Sequence, residues 1–145
     1  ILFKRYREEF ASSKEVFEKL IGEGRPGFIH RDKLRIKDAV NIINKSGGVS
    51  VLAHPGRYIV NVDKVIDKFV ENGGEAIEVN YPYKDLLRIG EEVENGWIEM
   101  FKKVAENRGL LISGGSDFHD FDRGSRIGDS GLSIEEFKML KRGLK

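Results

Sequence analysis

Asp117 and His119 stand two residues apart, just after Gly114, Gly115 and the apolar run Leu110 to Ile112. In an extended segment, residues at this spacing project to the same side, so a carboxylate and an imidazole could grip one metal ion together. The two glycines can adopt backbone angles closed to other residues and let a ligand come close. His54 ends a similar apolar run, Val49 to Ala53, and is followed by Pro55, Gly56 and Arg57, which turn the chain sharply beside the imidazole. Given parallel strands that end at one edge, His54, Asp117 and His119 make a His/Asp/His set for one ion. Such nitrogen and oxygen donors suit Zn²⁺, Mn²⁺ or Fe²⁺ and leave a position for water or substrate. Arg57 has a planar fork that matches a phosphate or carboxylate. Tyr83 and Lys84 could line the same cleft, one with a ring for stacking and the other with a charge for an anion.

Each residue also has a plainer reading. A single histidine near a strand end is often packed, and an arginine three residues further on is often solvated. Glu78 lies inside a strand and reads as a paired interior or solvent-facing residue, not a metal ligand. His30 has no partner in sequence and reads as structural. The double glycines at 47–48 and 73–74 follow helical patterns and read as caps, because no GxGxxG or Walker pattern is present. No GxSxG elbow supports serine chemistry.

Three units of helix, glycine, strand and polar exit must position these residues. Ile36, Ala39, Val40, Ile42 and Ile43 form the first helical stripe, and Val49 to Ala53 the strand that delivers His54. Val62, Val65, Ile66, Phe69 and Val70 form the second, with Ala76 to Val79 delivering Asn80, Tyr81 and Tyr83. Trp97, Ile98, Phe101, Val104 and Ala105 form the third, with Gly109 as its stop and Leu110 to Ile112 delivering Asp117 and His119. Alternation of this kind builds a parallel sheet whose exits share one edge. Before the units, a helical pattern over residues 3–10 is followed by a helix from Ser13, with Ser12 and Glu15 spaced as a capping box and Gly22 where a helix C′ glycine would stand. A subdomain boundary falls near residue 34. A last helix starts at Ser133, where Ser133 and Glu136 form a second capping box and Leu132 and Phe137 a hydrophobic staple. Arg123 and Arg126, between the third exit and this helix, are expected near the site.

The 145 residues are 39% hydrophobic and 34% charged, with a net charge of +1, enough for one compact core and without a broad basic field for nucleic acid. The absence of cysteine removes disulfides and thiolate chemistry and is compatible with the cytoplasm. No apolar run of membrane-spanning length and no secretory signal is read, so no membrane partner is expected. The chain opens on Ile1 in a charged pattern and reads as a fragment.

At Val51 to Tyr58, Ala76 to Pro82 and Gly114 to His119, in that order, the chain resembles the polymerase and histidinol phosphatase (PHP) superfamily, and most closely its small metal-dependent phosphoesterases that act on nucleotides. The resemblance implies a distorted (β/α)7 barrel with a two- or three-metal site at the C-terminal strand ends, where metal-activated water attacks phosphorus. It implies that His54, Asp117 and His119 are metal ligands and that Arg57 is a catalytic residue beside the phosphate. The family's opening strand carries a His-x-His pair, followed by an acidic residue, a histidine and a glutamate. None of the three histidines here forms such a pair.

The expected fold is therefore α/β, a partial barrel corresponding to the C-terminal half, with residues 1–34 as the end of a helical insertion and 35–145 as the α/β part. Its residues alone are expected to hold one divalent ion or none and to be weakly active or inactive, although the parent is a phosphoric ester hydrolase. The substrate class is a small phosphorylated molecule, a nucleotide or short oligonucleotide. An open half-barrel also implies self-association through its edge. Two other readings are a non-catalytic metal- or anion-binding module and a nuclease or proofreading domain of the polymerase branch.

Overall fold

The computed structural model describes residues 2–58, 61–119 and 125–144. They form two compact units, residues 1–33 and 34–145.

In the first unit, α1 (Leu2–Arg5) is shorter than the pattern over residues 3–10 predicts. The carbonyl of Tyr6 takes the N–H groups of both Glu9 and Phe10, so a turn replaces the next helical step. α2 (Ser13–Val16) continues into a π-helical turn, Phe17–Ile21. Ser12 caps it by accepting the Glu15 N–H at 3.1 Å, but the Glu15 carboxylate accepts from Ala11, one residue ahead of the cap, so the box is half formed. Gly22 is not left-handed, with φ at −66°. It ends the turn because its N–H reaches the Phe17 carbonyl at 2.6 Å, and a Cβ there would lie only 2.8 Å from that oxygen.

The second unit carries the sheet. Its order is α3 (Ile36–Lys45), β1 (Val51–Leu52), a 3-10 turn (Pro55–Arg57), α4 (Val62–Glu71), β2 (Ala76–Asn80), α5 (Tyr83–Leu87), α6 (Glu91–Arg108), β3 (Leu111–Gly114) and α7 (Ile134–Arg142). The three strands pair in the order β1-β2-β3, all parallel. Val51 lies opposite Ala76, and Ile77 opposite Ile112. The expected helix, strand and polar exit therefore recur three times, and all three exits leave the same edge. β1 is only two residues long where five are expected. Val51, on this edge strand, stays 38% exposed, so less burial is available to extend the pairing.

β2 is the centre of the layer. Ala76, Ile77 and Val79 are fully buried, and Ile66 and Phe69 of α4 and Phe101 and Ala105 of α6 belong to the same core. These are the i, i+3, i+4 positions of two amphipathic stripes, and burying each large side chain contributes roughly 1.5–3 kcal/mol. The α3 stripe is covered less fully: Val40 is buried, but Ile42 is 57% exposed. Gly109 ends α6 in the left-handed region at φ 63°, as its sequence position predicts. At α7, Ser133 and Glu136 exchange both bonds of the capping box, at 2.8 and 3.2 Å. Among the described residues no helix is long and apolar enough to cross a membrane.

Candidate active site

The exit of β1 is built around strain. His54 takes a left-handed backbone, φ 32° and ψ 61°, which is uncommon for a residue with a Cβ, and Pro55 then starts the 3-10 turn. Asp117, past the end of β3, is also left-handed at φ 50°. Two of the three expected ligands thus sit in sparsely populated backbone wells that their surroundings must hold in place, a pattern that clusters at functional sites.

Those surroundings come from the exit of β2. The Glu78 carboxylate accepts the backbone N–H of His54 at 2.6 Å. The Tyr83 hydroxyl accepts the Gly56 N–H at 3.2 Å, and the Tyr81 hydroxyl accepts from Arg57 Nη1 at 3.1 Å. Three side chains of one segment therefore hold three groups of the His54–Arg57 turn. Tyr81 also donates its proton to Asp117 Oδ2 at 2.8 Å, joining the turn to the third exit. Its ring meets His54 edge-on, with centroids 5.4 Å apart, and packs on Tyr83 at 4.7 Å.

Gly114 is required by contact and not by its backbone angle. A Cβ there would lie 2.7 Å from Asn80 Cβ and 2.8 Å from Asn80 O, while the next N–H, that of Gly115, bonds to that oxygen at 3.0 Å. Neither glycine has a positive φ, so the freedom expected of them is used by Asp117 instead.

Electrostatically the cluster is mixed. Burial pushes the Glu78 carboxyl above its ordinary value; the His54 N–H and imidazole pull it back, and the Asp117 charge pushes it up. The Tyr81 phenol is raised by burial first and then by its bond to Asp117, so it keeps its proton at neutral pH. Burial raises Tyr83 further.

The expected site residues separate on this map. His54, Arg57 and Asp117 meet around Tyr81, with Arg57 Nη1 3.8 Å from Asp117 Oδ2. His119 is exposed but stays beside Asp117, with its Nδ1 2.7 Å from the Asp117 carbonyl oxygen and 3.6 Å from Oδ1. Among the described residues, no three His, Asp or Glu side chains gather as a metal cluster. Tyr83, expected to offer its ring to a ligand, is fully buried against Trp97 and Phe101. Lys84, expected to face an anion, pairs with Glu91 at 3.1 Å, while its N–H bonds to Glu94. Arg126 bonds through its N–H to Asp129, and Arg123 lies outside the described residues. Sequence reasoning passed over Glu78 and Tyr81 as site residues. The available signal was their position at a strand exit between two candidate ligand loops.

A divalent ion can be tested against these donors. Among the described residues the His54 Nδ1 is buried without a hydrogen-bond partner, which leaves it open to a ligand, and the Asp117 carboxylate lies in the same cluster. Nitrogen and carboxylate donors of this kind fit a borderline or hard divalent cation.

Comparison with known proteins gives a consistent picture. The chain is 33% identical over 119 residues to a 3′,5′-nucleoside bisphosphate phosphatase of Chromobacterium violaceum, covering 78% of this chain and 38% of the relative. It is 31% identical over 112 residues to the 5′-3′ exoribonuclease Rnm of Escherichia coli, covering 75% and 35%. It superposes with a TM-score of 0.68 on an amidohydrolase from Chromobacterium violaceum solved with bound sulfate and no metal, at 26% identity, over 99% of this chain and 49% of that one. A crystal structure from Bifidobacterium adolescentis gives the same TM-score at 18% identity, a likeness of fold alone, covering 94% of this chain and 46% of that one. No family model matches. The chain thus spans less than two fifths of the curated relatives it matches. Fold and strand-edge cluster define it as part of a (β/α) barrel with parallel strands. These likenesses support the resemblance to the PHP superfamily that the three motifs carry.

Proposed function

We infer that this chain is the part of a metal-dependent phosphoesterase, acting on nucleotide phosphate esters, that carries the phosphate-binding arginine and one set of metal ligands. The observation that carries this reading is the cluster at the strand exits. It places a half-exposed guanidinium beside a carboxylate and a buried, unpartnered imidazole nitrogen. Arg57 would hold the phosphoryl oxygens through its planar fork and offset their charge as it grows in the transition state. His54 and Asp117 would hold Mn²⁺, Zn²⁺ or Fe²⁺, with His119 joining through Nε2 because Nδ1 is engaged. When bound, such an ion supplies an activated water and Lewis-acid stabilisation. The work of the β2 exit is to keep His54 and Arg57 in one orientation. Both named curated relatives act on nucleotides or RNA, and this supports the substrate class.

The family's His-x-His pair is not among these residues, so one ion at most and slow turnover are proposed for them alone. Residues 1–34 are proposed to end a helical insertion. Exposed Ile42 and Val51 support self-association, and the chain is proposed to work in the cytoplasm.

The test assays purified residues 1–145 with Mn²⁺ against a nucleoside 3′,5′-bisphosphate and a short oligoribonucleotide, alongside Mn²⁺ and inorganic phosphate binding. Expected are Mn²⁺ binding that Asp117→Asn abolishes, phosphate binding that Arg57→Ala abolishes, and slow phosphate release at best. Fast turnover would overturn the proposed incompleteness. Failure of both ligands to bind would overturn the site.

A further inference from the structure

Tyr81 is 1% exposed, yet among the described residues its hydroxyl is the one atom bonded to both Arg57 and Asp117. A phenol has a single proton. Here it is given to Asp117 Oδ2 at 2.8 Å, which leaves the oxygen to accept from Arg57 Nη1 at 3.1 Å. The guanidinium and the carboxylate are 3.8 Å apart with this oxygen bonded to both. Without it, the two charges would be free to close to an ordinary charge-assisted bond of about 2.8 Å, since no other described residue is bonded between them. Direct pairing would spend both groups at once: the carboxylate would be neutralised as a metal ligand and the fork occupied as an anion site.

We propose that Tyr81 is a positioning residue whose hydroxyl stands between Arg57 and Asp117 and keeps the two from quenching each other. The inference rests on the proposed roles of Arg57 and Asp117, and goes beyond them by coupling two functions through one atom. Tyr81→Phe isolates that atom. The ring contacts with His54 and Tyr83, at 5.4 and 4.7 Å, do not involve the hydroxyl, so the phenylalanine preserves the packing.

The experiment compares wild type, Tyr81→Phe, Arg57→Gln and the double variant of the whole chain in two readouts. The first is Mn²⁺ affinity. Tyr81→Phe is expected to lower it by about 10- to 100-fold, the range for loss of a group that orients a metal ligand. Arg57→Gln in the same background is expected to restore most of that loss, because the competing cation is gone. If Tyr81 were packing alone, phenylalanine would bind Mn²⁺ as tyrosine does. If it oriented Asp117 independently of Arg57, the double variant would stay as weak as Tyr81→Phe. Either result overturns the coupling.

The second readout is the Arg57 Nε–Hε signal by NMR in metal-free protein. Tyr81→Phe is expected to shift it and to slow its hydrogen exchange several-fold as the guanidinium locks onto Asp117. An unchanged signal overturns the coupling whatever the metal does. A changed signal in a protein whose wild type binds no Mn²⁺ leaves the coupling standing and removes the metal reading instead.

Discussion

The exits of β1 and β2 lie side by side on one sheet edge but are built oppositely. β1 is two residues long and partly exposed, and its exit holds a left-handed histidine and a half-exposed arginine. β2 is five residues long and buried, and its exit runs through Tyr81, Pro82 and Tyr83, all inside the protein. The proposed ligand and phosphate-binding groups, His54 and Arg57, stand on the weaker element, and the groups that hold them stand on the stronger one. A short strand cannot stabilise an unfavourable backbone well by its own pairing, so Glu78, Tyr81 and Tyr83 do so from the neighbour.

Tyr83→Ala would break this contrast most severely. Removing a fully buried ring packed against Trp97 and Phe101 is expected to cost about 3–5 kcal/mol, read by urea unfolding. A loss below about 1 kcal/mol would mean that the β2 exit is no scaffold. Gly114→Ala comes next. The added carbon meets Asn80 Cβ and O well inside contact distance, and the overpacking should cost roughly 1–3 kcal/mol. Tyr83→Phe keeps the ring and removes the bond to Gly56, so about 1 kcal/mol is expected, with loosening of the His54 turn visible as faster amide exchange at Gly56. Smallest of all, Arg57→Ala should change stability by no more than about 0.5 kcal/mol, since the side chain is 47% exposed, while removing phosphate binding. A large loss of stability in that variant would erase the distinction between the two exits.

Much of the fold is legible in the sequence, because its signals are local. The stripes in α4 and α6 follow the helical period, Gly109 stops α6 where expected, and the Ser133 box starts α7. Parallel pairing follows from the alternation of helices and strands. The first unit is less legible. Its helical pattern over 3–10 yields a four-residue helix that fully buries none of its side chains, and a short helix without tertiary support is marginal.

In the site, the placement of His54 and Asp117 at strand exits is readable from the apolar runs before them. The partners of Tyr83 and Lys84 are not. Tyr83 turns inward to the Trp97 and Phe101 of a helix that starts eight residues later, and Lys84 is taken by that helix's first-turn glutamates. Such pairings depend on where α6 packs, which no spacing within residues 80–84 encodes.

By itself the sequence determined the periods, the caps and the order of the three exits, since each depends on residues within a few positions of one another. Only the tertiary structure decided which side chains hold the turn at His54. The register of β2 against β3 shifts between Glu78 and Asn80, so the alternation that assigns faces along a strand fails just where the exit begins. Past that bulge the positions of Tyr81 and Tyr83 are set by packing between neighbouring elements, and the hydroxyl between Arg57 and Asp117 comes from that packing.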